Sequence, residues 1–116
     1  MTKFFVFLSM LTAVMCFAHP PAALEFSYEP DSSILYVSIG HKVNDAGKHY
    51  VNKVVVELGD KEIVVQNFRS QNDGENQRVM YRVIDVVEGD RVKVTAYCNI
   101  SGRKNEVFVV PGPDVE

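Results

Sequence analysis

Tryptophan is absent, and only two cysteines and three histidines occur in 116 residues. The Cys–Trp–Cys pin of antibody domains therefore has no Trp to build on. Two thiols make neither a disulfide-rich scaffold nor a four-thiolate zinc site. Three imidazoles cannot furnish a four-histidine site from one chain. Basic residues are outnumbered by acidic ones, 12 to 15, and the net charge of −3 argues against a nucleic-acid binder. What is present is apolar material: 47% of the residues are hydrophobic, enough for the core of one domain of this length. The valine-rich runs exclude a disordered chain.

Residues Met1–Ala18 read as an address. One lysine precedes an apolar stretch from Phe4 to Phe17, and Cys16-Phe17-Ala18 places small residues at the −3 and −1 positions of a cleavage site. This is the layout of a secretory signal peptide. The stretch is shorter than the about 20 residues a membrane span needs. Lipidation of Cys16 is disfavoured, because Met15 stands where that signal takes a small residue. Cleavage after Ala18 predicts a periplasmic or secreted domain over residues 19–116, without a membrane span. It removes Lys3 and no acid, so the exported chain is more acidic still. It also removes Cys16, leaving Cys98 as a lone thiol and no internal disulfide.

The remainder alternates apolar and polar residues in short runs separated by turn residues, the pattern of half-buried strands. Seven strands are predicted: Leu24–Tyr28, Ile34–Gly40, Tyr50–Leu58, Glu62–Ser70, Arg78–Val83, Arg91–Cys98 and Asn105–Val110. Pro30-Asp31-Ser32-Ser33, Gly59-Asp60-Lys61 and Glu88-Gly89-Asp90 supply turns, and Gln71–Gln77 a polar loop. The mixed parity of the fourth run predicts a bulge or a two-sided strand. Seven short antiparallel strands in this length predict an immunoglobulin-like β-sandwich, an all-β fold that is silent on function.

Few residues are equipped for chemistry: His19, His41, His49 and Cys98. His41 and His49 bracket the connection between the second and third strands. Cys98 closes the sixth strand and shares the parity of Val92, Val94 and Ala96, so its sulfur should point inward at one end of the sandwich. If the second-to-third and sixth-to-seventh connections share an end, two imidazoles and a thiolate converge. That set suits iron, zinc or copper. The competing expectation is two solvated loop histidines and a buried, inert thiol.

Two segments carry a family resemblance. One is His41 followed by His49-Tyr50-Val51 at the head of an apolar strand; the other is Ala96-Tyr97-Cys98-Asn99-Ile100-Ser101-Gly102. Together they resemble the His-Pro-Met loop, the His-Tyr-Ile strand start and the Tyr-Cys-Asn-x-His-Gly stretch of the iron domain of superoxide reductases and desulfoferrodoxins. The resemblance runs from about Ser27 to Val110. It implies an immunoglobulin-like fold and a mononuclear iron held by four equatorial histidines and an axial cysteinate. It also implies reduction of superoxide to peroxide with electrons from a partner protein. By position it assigns His41, His49 and Cys98 as metal ligands. Ser101 stands where the family has a further histidine, and Lys42 where it has proline, so the expected iron site is incomplete.

Two other readings compete. The Gly59 turn and Val87–Val94 resemble the Z subunit of the bacterial sulfur-oxidation carrier complex, which implies a metal-free interaction module. If His19 begins the exported chain, its amine and imidazole form a copper chelate, with His41 or His49 as a further ligand; the preferred expectation is a frayed terminus. Asn99-Ile100-Ser101 matches the N-glycosylation pattern. No acid/base pair or catalytic triad is recognisable from the spacing of the acidic, serine and histidine residues.

Overall fold

The computed structural model describes residues 19–112. Residues 1–18, over which the sequence predicts a signal peptide, lie outside the described residues, as do residues 113–116. Seven strands run in chain order: β1 (Leu24–Glu29), β2 (Ile34–Gly40), β3 (Val51–Leu58), β4 (Lys61–Asn67), β5 (Asn76–Arg82), β6 (Arg91–Cys98) and β7 (Arg103–Val109). They form two antiparallel sheets, β1-β2-β5 and β4-β3-β6-β7. No helix among the described residues is long and apolar enough to cross a membrane.

The predicted all-β, immunoglobulin-like sandwich of seven strands is what forms, and alternation explains its core. Leu35, Val37 and Ile39 on β2 meet Val54 and Val56 on β3 and Val92, Val94 and Ala96 on β6, each at most 2% exposed. Intervening residues face out, as Tyr36 and Met80 do. The sheets also meet along one margin, where Phe108 of β7 lies 5.6 Å from both Phe26 and Tyr28 of β1.

Strand ends move by a few residues from the predicted ones, for local reasons. The β3–β4 hairpin turns on Gly59-Asp60 alone; of the two, only Gly59 has a positive φ, +64°, the signature of a type II′ turn. β5 begins at Asn76, opposite Gly40, so it reaches two residues further towards the loops than predicted. β4 stops at Asn67 rather than Ser70, which frees Arg69–Gln71 to leave the sheet. Its mixed parity reflects a register shift against β3 between Val56 and Glu57, and an edge position that leaves it largely exposed.

A second irregularity positions the site. Between Val51 and Lys53 the β3–β6 register shifts by one residue, so Asn52 is an insertion opposite the Tyr97–Cys98 step. The bulge is why Val51 and Val54, three residues apart, both face the core. Connections β2–β3, β4–β5 and β6–β7 and the lead-in before β1 all lie at one end of the sandwich, as antiparallel order requires.

Candidate metal centre

His41 follows Gly40 and continues the inward parity of Leu35, Val37 and Ile39. Its imidazole therefore caps the open end of the core and is 1% exposed. Its N–H donates to the Glu75 carbonyl at 2.9 Å, extending the β2–β5 ladder by one bond. His49 is placed by a tight turn. Asp45 accepts the Gly47 N–H on its side chain, at 3.0 Å, and the Lys48 and His49 N–H groups on its carbonyl, at 3.0 and 2.8 Å. Asn99 clamps the far side. Its Oδ1 accepts the Tyr50 N–H at 2.8 Å, its Nδ2 donates to the Lys48 carbonyl at 2.9 Å, and its N–H donates to the Tyr50 carbonyl at 3.0 Å. The amide of the glycosylation-type triplet is thus committed to holding the His49 segment.

His19 joins them. The frayed lead-in expected from the sequence is instead pinned. Ala22 N–H donates to the Gly40 carbonyl at 2.7 Å, Gly40 N–H to the Ala23 carbonyl at 2.8 Å, and Pro21 is fully buried. Pro20 packs on Gly102, where an added Cβ would meet the proline Cβ at 2.9 Å. Only a glycine there lets the lead-in lie against the β6–β7 turn.

The three rings form a near-equilateral triangle, with centroids 5.0 Å (His19–His41), 5.1 Å (His19–His49) and 4.8 Å (His41–His49) apart. One nitrogen from each lies within 4.8 Å of the others. Tetrahedral coordination at metal–nitrogen bonds of about 2.0–2.1 Å needs nitrogens about 3.3 Å apart, so ring rotations on the order of 1 Å would close the set.

The surroundings favour loss of the His49 proton. Burial lowers the His49 pKa below the ordinary imidazole value, and the His41 and His19 rings push it the same way. The shift is towards the neutral imidazole, the form that coordinates metals. Its Nε2 is buried and has no hydrogen-bond partner. Buried polar atoms are nearly always paired, so an orphaned imidazole nitrogen inside a ring of imidazoles calls for a partner. The other buried side-chain atom without one among the described residues is Asn52 Oδ1, on the adjoining bulge. An open groove of about 340 Å³, lined by His19, Lys42, Val43, Asn44, Asp45 and His49, leads to solvent.

Of the residues assigned from sequence, His41 and His49 come together. Cys98 points inward at the same end, as its parity requires, and is 7% exposed. Its sulfur accepts the Ile100 N–H at 3.4 Å, and Cys98 lines a different groove with Tyr97, Gly102 and Arg103. The mutually close ligand atoms are those of His19, His41 and His49, without Cys98. Bland solvated loop histidines are excluded at least for His41, which is buried.

Sequence reasoning missed Gln71. It sits in the stretch read as a polar loop, yet it is 6% exposed and every polar atom of its amide is used. Nε2 donates to the carbonyls of His41, at 2.7 Å, and Asp73, at 2.9 Å. Oε1 lies 2.8 Å from His41 Nδ1 and accepts the Val51 N–H at 3.0 Å. No protein-family model matches the chain, and no curated protein matches it.

Proposed function

We propose that this domain is an exported metal-binding module that holds one transition-metal ion through His19, His41 and His49. The observation that carries the reading is the orphaned His49 Nε2 inside a triangle of imidazoles whose ligand atoms lie within 4.8 Å of one another. Imidazole ligands suit zinc, copper, iron and nickel. Three protein ligands leave at least one coordination position for water or a small substrate, the arrangement of catalytic rather than structural sites. In this reading Cys98 is a neighbour of the site and not a ligand.

The resemblance of the His41, His49-Tyr50-Val51 and Tyr97–Gly102 segments to superoxide reductases makes iron the ion, and superoxide the substrate, to offer first. Reducing superoxide to hydrogen peroxide takes up one electron and two protons, so turnover requires a separate electron-donor protein. Export rests on the pattern of residues 1–18 and predicts that N-terminal sequencing of the exported protein begins at His19.

The test is metal content by elemental analysis of the protein purified from its native compartment, alongside His41→Ala, His49→Ala and Cys98→Ser. One ion per chain, lost in both histidine variants and kept in Cys98→Ser, is expected. Iron-loaded protein that consumes superoxide no faster than free iron would limit the function to binding. No stoichiometric metal, with a partner captured equally well under chelation, would replace this reading with a metal-free interaction module.

A further inference from the structure

We infer that Gln71 is the positioning residue that commits His41 to coordinate through Nε2. The inference rests on the metal-binding reading for its purpose, but its geometry is independent of any metal.

The Gln71 amide has one orientation that satisfies its surroundings. Two carbonyls, those of His41 and Asp73, lie 2.7 and 2.9 Å from Nε2 and can only accept. The Val51 N–H, 3.0 Å from Oε1, can only donate. Exchanging the amide's nitrogen and oxygen would set acceptor against acceptor twice and donor against donor once. Oε1 is therefore the atom that faces His41 Nδ1 at 2.8 Å, and as an acceptor it requires a proton on that nitrogen. In the neutral ring the proton cannot also be on Nε2, so the Nε2 lone pair is left free.

That lone pair looks across 3.2 Å at the carbonyl oxygen of His19. In the neutral ring the two are both acceptors, and the contact lacks a proton. A proton or a metal ion at Nε2 would relieve that contact, and a metal ion there is also within reach of the other two rings. Metal-bound histidines generally donate their second ring N–H to a carbonyl or carboxylate that fixes tautomer and orientation. Here a buried, fully bonded side-chain amide takes that role. The same amide ties His41 to the start of β3 through Val51, and the backbone N–H of Gln71 reaches the Ala46 carbonyl at 3.1 Å in the His49-bearing loop. One residue thus sets both the tautomer of one ligand and the spacing of two.

The direct measurement is the nitrogen-15 shift pattern of the His41 ring in the metal-free protein near pH 8, in the wild type and in Gln71→Met. The wild type should show Nδ1 protonated and Nε2 bare. Gln71→Met removes the acceptor at Nδ1 and should give a mixture of tautomers. Titration with Co(II) should then show Gln71→Met weakened by about 10–100-fold, the usual cost of losing an outer partner. If Gln71→Met fails to fold, the wild-type spectrum still decides the matter. A wild-type His41 protonated on Nε2 would overturn the inference, and so would a folded Gln71→Met with the wild-type tautomer and affinity. Wild-type protein with the expected tautomer but no affinity for Co(II), Zn(II), Cu(II) or Fe(II) would instead remove the metal-binding reading and leave the hydrogen-bond assignment standing.

Discussion

His41 is the histidine on which most of the geometry converges. Its ring is held from behind by Gln71 and closes the core from the end, so truncation removes a proposed ligand and opens the core at once. His41→Ala should weaken Zn(II) binding by more than the about 10–100-fold that an outer partner costs, measured by isothermal titration. It should also lower stability, by about 1–3 kcal/mol, through the lost Gln71–His41 hydrogen bond and the cavity left where the buried ring closed the core. His19→Ala should weaken the metal comparably with little effect on stability, because that side chain is exposed. This contrast separates ligand loss from structural damage. The inward side chain of Cys98 was legible because strand parity carries past the last apolar residue; His41 was legible as a candidate only from its place beside the β2–β3 connection, although it continues the parity of Ile39. His19 was legible only as an option set aside for a frayed terminus, because its place depends on Pro20 meeting Gly102, a contact between residues 82 positions apart. Gln71 was not legible, since a lone glutamine in a polar stretch carries no periodic signal and its burial is wholly tertiary.

At the scale of elements, the site depends on how loops are fastened to strands. Gly102 and Gly59 offer a matched pair of tests. Both have positive φ, +88° and +64°, but an added Cβ strikes Pro20 at Gly102 and meets nothing within 4 Å at Gly59. Gly59→Ala should cost at least about 1–2 kcal/mol, since an L-residue is strained at that positive φ, and leave metal affinity unchanged. Gly102→Ala should cost more and should also weaken metal binding, since it pushes the His19 segment off its seat. The β4–β5 loop carries the acid-sensitive element. Asp73 has its carboxyl pKa lowered, chiefly by accepting the Glu75 N–H, then the Asn76 N–H, with Arg78 adding a smaller pull. A lowered carboxyl pKa contributes stability above the unfolded value near 3.8, and that contribution is lost as pH falls through the folded value. Asp73→Asn should therefore be less stable than wild type at neutral pH, with the gap narrowing below about pH 4 in thermal melts. Strand number and face were legible here because alternation is a local signal. Strand ends were not, because Asn76 and Asn67 are set by what they pair with.

For the whole molecule, antiparallel order brings three connections and the lead-in to one end, and a metal site there would tie β2, β3 and the lead-in together. Binding to the folded state alone should raise stability by about 2.7 kcal/mol at a metal concentration one hundred times Kd. For a domain of this size that is a rise in Tm on the order of 10 °C. The sandwich was legible from composition and alternation. Convergence of histidines was legible only as an option, since sequence order does not say which connections share an end. The most direct test of the three-histidine centre is metal stoichiometry and Kd by titrating Zn(II) into the chelator-treated protein, in the wild type and in the His19→Ala, His41→Ala, His49→Ala and Cys98→Ser variants. The account predicts one site per chain, weakened by each histidine change and unaltered by Cys98→Ser. Wild-type protein that takes up no zinc, or binding that survives all three histidine changes, would contradict it.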